Sequence, residues 1–164
     1  MDETAWGPLP GVAGVSVRRA AADDLPALVA LLADDPLGAG RESVEGGLEP
    51  YLRAFALVDA DPAHLLVVAE SGGEPVGTLQ LSFLPGLSRR GALRAQVEGV
   101  RVRADRRGAG LGEALVRWAA AESRRRGCAL LQLTSDRARP EAHRFYERLG
   151  LVASHVGFKL DLDP

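Results

Sequence analysis

Residues 100–115, VRVRADRRGAGLGEAL, decide how this chain is read. Val100, Arg101 and Val102 close an alternating run of the kind that forms a strand. Arg106, Arg107, Gly108, Ala109, Gly110, Leu111 and Gly112 follow, and a helical pattern begins at once. The first turn of a helix carries amide N–H groups without intrahelical partners, and the helix dipole adds partial positive charge there. Glycines let backbone come close to a phosphate oxygen and take dihedrals that other residues resist. A strand, a glycine loop and a helix N-terminus in that order can grip a phosphate or pyrophosphate. A plain turn closed by glycines would use the same residues.

The spacing narrows the ligand. A P-loop needs a Lys after its last glycine, and none stands here. The dinucleotide fingerprint needs a third small residue, but the sixth position is Glu113 counted from Gly108 and Leu115 counted from Gly110. What fits is Arg-x-x-Gly-x-Gly, over Arg107, Gly110 and Gly112.

Working outward, residues 110–126 form the clearest helix. Leu111, Leu115, Trp118 and Ala119 make its apolar stripe, Glu113, Arg117, Arg124 and Arg125 fall outside it, and Gly127 ends it. CALLQLT (128–134) reads as a buried strand. Pro140 opens a last helix to Leu149 with Ala142, Phe145 and Leu149 on its apolar side; Gly150 closes it, and 151–162 reads as a final strand. Upstream, 15–19 reads as a strand. Asp23 and Asp24 cap a helix through Leu25, Leu28, Leu31 and Leu32. A second helix is expected over 43–58 with Leu48, Leu52, Phe55 and Ala56 inward, against the helix-breaking Gly46, Gly47 and Pro50. Residues 64–70 and 75–83 form a hairpin around SGGE, 85–91 a loop, and 93–103 a strand. Residues 1–14 read as a flexible tail on which Trp6 can pack down. The order gives a mixed α/β layer fold rather than a regular βαβ array.

Composition sets the outer limits. The 164 residues, 46% hydrophobic and 26% charged, suit a single domain, 1–164. Lys plus Arg is 20 against 22 Asp plus Glu, a net charge of −2 that gives no electrostatic case for nucleic acid. One cysteine, Cys128, and three scattered histidines, His64, His143 and His155, argue against a disulfide framework or a metal site. A reducing cytoplasm is expected. No apolar run of about 18 residues is present, so no membrane span is expected, and the N-terminal residues lack a signal-peptide pattern.

Two stretches together carry a family resemblance. Val100-Arg101-Val102 followed by RRGAGLGEAL resembles the acetyl-CoA-binding motif of the GNAT superfamily of N-acetyltransferases. ARPEAHRFYERLGL, 138–151, resembles that family's second motif, in which an Ala, an aromatic–Tyr pair and a Gly fall at this spacing. The resemblance covers about 65–162. It implies a GNAT-type mixed, mostly antiparallel central sheet of about six to seven strands with helices on both faces. It also implies a bacterial-type acyltransferase that moves an acetyl group from acetyl-CoA directly to a primary amine, without a metal. The acceptor is not legible. A silent CoA-binding sensor of the same fold is the alternative, and an unrelated nucleotide-binding protein a third. The expected partner is an amine substrate, with neither nucleic acid nor membrane; a homodimer stays open.

The resemblance also implies roles. The backbone of Val100, Arg101 and Val102 would pair with the pantetheine arm as an added strand does. The amides of Arg107, Gly108, Ala109, Gly110, Leu111 and Gly112 would hold the pyrophosphate. Tyr146 aligns with the general acid, since a phenol near pKa 10 can hand a proton to a departing thiolate; a core aromatic is the other reading. Glu98 is the candidate base. Alternation places Gln96, Glu98, Val100 and Val102 on one face, and a bulge near Gly99 would resolve that mixture of polar and apolar residues; a solvent-facing residue is the other reading.

Arg139 stands where many members carry Asn, which puts one cofactor contact in doubt. Arg137 and Arg139 meet the cofactor's 3′-phosphate or, as favoured, lie on the surface. Cys128 is expected to be inert packing, and His143 to pair with Glu147. Arg124, Arg125 and Arg126 are expected to form a solvated helix end. Asp34, Asp35, Glu42, Glu45 and Glu49 give the helical region an acidic cast, which suits a cationic amine or, as favoured, is ordinary surface. Tyr51, Phe55 and Phe83 wall a pocket or fill core.

Overall fold

The computed structural model describes residues 5–35, 37–42 and 46–162. Its strands are β1 (Ala5–Pro8), β2 (Ser16–Arg19), β3 (His64–Ser71), β4 (Glu74–Leu84), β5 (Arg94–Val102) and β6 (Leu130–Leu133). They form one six-stranded sheet in chain order, β1 to β6. Every neighbouring pair is antiparallel except β5 and β6, which run parallel. The helices are α1 (Leu25–Ala33), α2 (Glu49–Ala60), the short α3 (Ser88–Gly91), α4 (Leu111–Arg125) and α5 (Pro140–Arg148). This is the mixed, mostly antiparallel sheet expected.

Alternation along β3 explains the two layers. Leu65, Val67 and Ala69 enter one apolar cluster with Leu111, Leu115 and Ala119 of α4. Leu66 and Val68 turn to the other side and join Leu28 and Leu31 of α1, with Phe55 of α2 against them. A strand whose odd and even residues are both apolar must be covered on both faces, and helices cover each.

Several boundaries differ from expectation. Pro50 occupies the first turn of α2, where its missing N–H costs nothing, so the helix starts at Glu49. Residues 43–45 of the expected helix lie outside the described residues. Tyr51, Phe55 and Val58 form its inner face, while Leu52 is 40% exposed and Ala56 lies in solvent. The tail expected over 1–14 is, from Ala5, a strand on β2. Leu9 is buried, and the Trp6 and Trp118 rings meet edge to face at 5.0 Å. The loop at 85–91 contains α3, with Arg89 and Arg90 in left-handed conformation, φ 55° and 62°.

The C-terminal side departs most. Leu130, Leu131, Gln132 and Leu133 are half-buried rather than buried, because β6 is the last strand of the sheet. The strand expected over 151–162 does not form. Those residues form no regular element, and Phe158 is 93% exposed.

Candidate active site

The site begins where two strands part. β5 and β6 pair from Arg94–Leu130 to Val97–Leu133 and no further. On its other side β5 pairs with β4 through Gln80–Glu98 and then Thr78–Arg101, so two residues of β5, Gly99 and Val100, oppose the one residue Leu79 of β4. That count defines a β-bulge, which bends and twists the strand carrying it. Gly99 lies in the bulge at φ +61°. A Cβ there would meet Leu32 at an ordinary 3.7 Å, so conformation rather than space calls for glycine. The bulge expected near Gly99 is therefore present.

The glycine loop stands at the far end of this opening. Gly110 precedes α4 at φ +82°, with nothing within 4 Å of the position a Cβ would take. Ala114 N–H donates to Gly110 C=O at 3.0 Å, leaving the amides of Leu111, Gly112 and Glu113 ahead of the helical ladder. Gly112 lies between Val102 and Phe145, each 3.6 Å from its hypothetical Cβ, so strand end, loop and last helix converge. Arg107 Nη2 donates to the Asp34 carbonyl and carboxylate at 2.8 and 2.7 Å, and its Nε to Val102 C=O at 3.0 Å. Arg101 Nη1 donates to Val100 C=O at 2.9 Å.

A residue read as surface proves to be a hub. Asp35 Oδ1 accepts Arg139 Nη2 at 2.5 Å and the amides of Leu37 and Gly38 at 2.9 Å each. Its Oδ2 lies 3.0 Å from Arg101 Nε, a charge contact whose angle falls short of a hydrogen bond. Arg139 is thus not a free surface arginine. Burial alone would push the Asp35 carboxyl up, but Arg139, the two amides and Arg101 together hold it at about 2. The sequence signal was the Asp pair ending α1; nothing in it showed that two arginines more than sixty positions downstream would arrive there.

Tyr146 adjoins this network. Burial raises its phenol above the usual 10, while Arg101 and Arg139 pull the other way. Its ring meets Phe145 edge to face at 5.1 Å. Glu98 sits just before the bulge, exposed, on the rim of a cavity of about 280 Å³ walled by Leu28, Tyr51, Phe55, Thr78 and Gln80. Tyr51 Oη donates to Glu42 at 2.8 Å. Phe83 is elsewhere, buried under the Arg126 guanidinium at 4.4 Å. It borders a wider depression of about 400 Å³ that contains none of the expected site residues.

Other expectations are corrected. His143 Nε2 meets the Asp136 carbonyl at 2.8 Å rather than Glu147. Arg125 and Arg126 clasp the buried Glu122 at 2.8 Å, so that helix end is not merely solvated. Burial pushes the half-buried Cys128 thiol up, away from the reactive thiolate. Among the described residues no group of His, Cys, Asp and Glu is placed to hold a metal, and no helix is long and apolar enough to cross a membrane.

The profile of the acetyltransferase (GNAT) family matches residues 25–151, which runs from the start of α1 past the end of α5. The chain belongs to the acetyltransferase (GNAT) family. This GNAT acetyltransferase is 31% identical over 110 residues to the aminoalkylphosphonate N-acetyltransferase of Salmonella typhimurium, covering 67% of this chain and 71% of that one. It is 37% identical over 91 residues to the glucosamine 6-phosphate N-acetyltransferase of Trypanosoma brucei brucei, covering 55% and 59%. Among solved structures, a transcriptional regulator of Bacillus halodurans C-125 superposes with a TM-score of 0.87 at 47% identity, over 90% of this chain and 99% of that one. The family takes its acetyl group from acetyl-CoA.

Proposed function

We propose that this GNAT enzyme transfers the acetyl group of acetyl-CoA directly to the primary amine of a small acceptor, in the cytoplasm. The observation that carries this reading is the parting of β5 from β6 after Val97 and Leu133, beside a helix N-terminus opened by Gly110.

The residues present fit the cosubstrate. The open space at Gly110 and the amides ahead of the α4 ladder suit a pyrophosphate held by Arg107, Gly108, Ala109, Gly110, Leu111 and Gly112. The backbone of Val100, Arg101 and Val102 lines the pantetheine. Binding in that mode requires the Arg101 guanidinium to leave the Val100 carbonyl it now caps. Bound acetyl-CoA supplies an activated thioester.

Glu98, at the cavity rim, takes the ammonium proton of the acceptor directly or through water, freeing the lone pair for attack. Tyr146, like any phenol, keeps its proton through neutral pH, and burial raises it further, so the proton is held ready for the departing sulfur. Transfer is direct, since the single thiol lies at Cys128, shielded and unactivated.

The acceptor we propose is an amine that carries a phosphonate or phosphate. The cationic groups Arg101 and Arg139 gather near Tyr146, with Asp35 between them and Arg41 within charge range of Arg101. The two N-acetyltransferases above act, by name, on an aminoalkylphosphonate and an amino sugar phosphate. The test is CoA release over a panel of amines with and without such groups. Turnover confined to anionic amines supports the acceptor class, and turnover of neutral amines alone overturns it. Thermal stabilisation by acetyl-CoA without release across the panel would favour the silent sensor.

A further inference from the structure

α1, α2 and the sheet leave between them a space that no described side chain fills. It is the cavity of about 280 Å³ with Glu98 on its rim. Leu28 and Leu32 of α1, Phe55 and Val58 of α2 and Leu66 of β3 wall it. Two of its polar groups are engaged elsewhere: Thr78 Oγ1 donates to Val67 C=O and Tyr51 Oη to Glu42, each at 2.8 Å. Gln80 and Glu98 are the polar side chains it offers an occupant.

Packing elsewhere on this face is tight. Leu28, Val29 and Val68 are 3, 1 and 0% exposed. α2 departs from that pattern, since none of its residues is fully buried although Phe55 and Val58 line the cavity. An apolar helix face normally closes onto apolar neighbours, because a void forfeits contacts and costs stability in proportion to its volume. Here α2 stands off, and the space opens beside the residue read as the base. The cavity also adjoins the cationic cluster. A Cβ on Gly99 would meet Leu32 at 3.7 Å, so the end of α1 lies on the bulge. Just beyond those two residues along the chain, Asp35 and Arg101 stand 3.0 Å apart.

We propose that the acceptor amine carries an apolar substituent, a short alkyl chain or a single ring, that seats in this cavity while Glu98 meets the amino group. The proposal rests on the reading of Glu98 as base and extends the acceptor class. The anionic group lies toward Arg101 and Arg139, the apolar one under α2. The volume sets the size: ligand pockets run from roughly 300 Å³ upward, so this one takes a few carbons and not a lipid tail. Phe55 and Val58 then determine the length admitted.

NMR titration of two series in the presence of CoA tests this. One is the n-alkylamines from methylamine to hexylamine, the other the 1-aminoalkylphosphonates of the same chain lengths. Kd is expected to fall about fourfold per added methylene until the cavity is full. Val58→Phe is expected to stop the fall at a shorter chain and Phe55→Leu at a longer one, with the circular dichroism of the wild type. Alkylamines that tighten with length while the phosphonates do not bind would keep the apolar seat and remove the anionic acceptor class. No binding by either series, affinity independent of chain length, or a stopping point that neither variant moves would each overturn the proposal. CoA release from the shortest phosphonates with acetyl-CoA would, in those cases, still uphold the transferase reading.

Discussion

Val97 and Leu133 are the last residues at which β5 and β6 run together, and Gly99 turns β5 away two positions later. The opening this creates is the feature on which the cofactor's seat depends. A β-branched side chain resists φ near +61°, at a cost of roughly 1–3 kcal/mol. Gly99→Val is therefore expected to lower Tm by roughly 2–12 °C and to weaken acetyl-CoA binding, read by thermal shift and calorimetry. Unchanged affinity would separate the bulge from cofactor binding.

Gly110 combines φ +82° with open space at the entrance to α4. A carboxylate placed there faces the proposed diphosphate and meets like charge. Gly110→Glu is expected to abolish acetyl-CoA binding in calorimetry while circular dichroism stays that of the wild type. Retained affinity would remove the loop from the cofactor site.

Tyr146 and Glu98 separate by kinetics. Tyr146→Phe keeps the ring against Phe145 and loses the proton, so kcat is expected to fall about 10²-fold or more with acetyl-CoA affinity little changed. Glu98→Gln is expected to slow turnover most at low pH, where the acceptor ammonium is hardest to deprotonate. A pH–rate profile that coincides with the wild type counts against Glu98.

Asp35 gives a pH signature in stability. Its folded pKa, about 2, lies below its unfolded value, so its contribution is fully present above pH ~4 and is lost as pH falls through about 2. The side chain is 15% exposed, and a shift of this size is worth roughly 2 kcal/mol. Thermal melts of the wild type are expected to drop between pH 4 and 2 more steeply than those of Asp35→Asn. Parallel curves would show that the Arg101 and Arg139 contacts do not stabilise the folded chain.

How far the sequence carried this reading differs along the chain. The α4 stripe and the β3–β4 hairpin were legible because short periods repeat over neighbouring residues: Leu111, Leu115 and Ala119 all end up in the core. The bulge was legible because it would resolve the mixed face around Glu98 and Val100, and because the family resemblance implied a splay in this strand. The role of Asp35 was not, since it rests on ion pairs to Arg101 and Arg139 that only the assembled fold brings near. The 151–162 segment has a strand's alternation, yet alternation states what a residue would bury and not where a partner stands. The same limit hid β1, whose Gly- and Pro-rich surroundings read as tail until β2 supplied an edge.

The most direct test of the central claim is a crystal of the enzyme with acetyl-CoA. The account predicts the diphosphate on the amides between Arg107 and Gly112, and the pantetheine along Val100–Val102 in the gap beyond Leu133. Electron density for the ligand at another site, with that gap and loop empty, would contradict it.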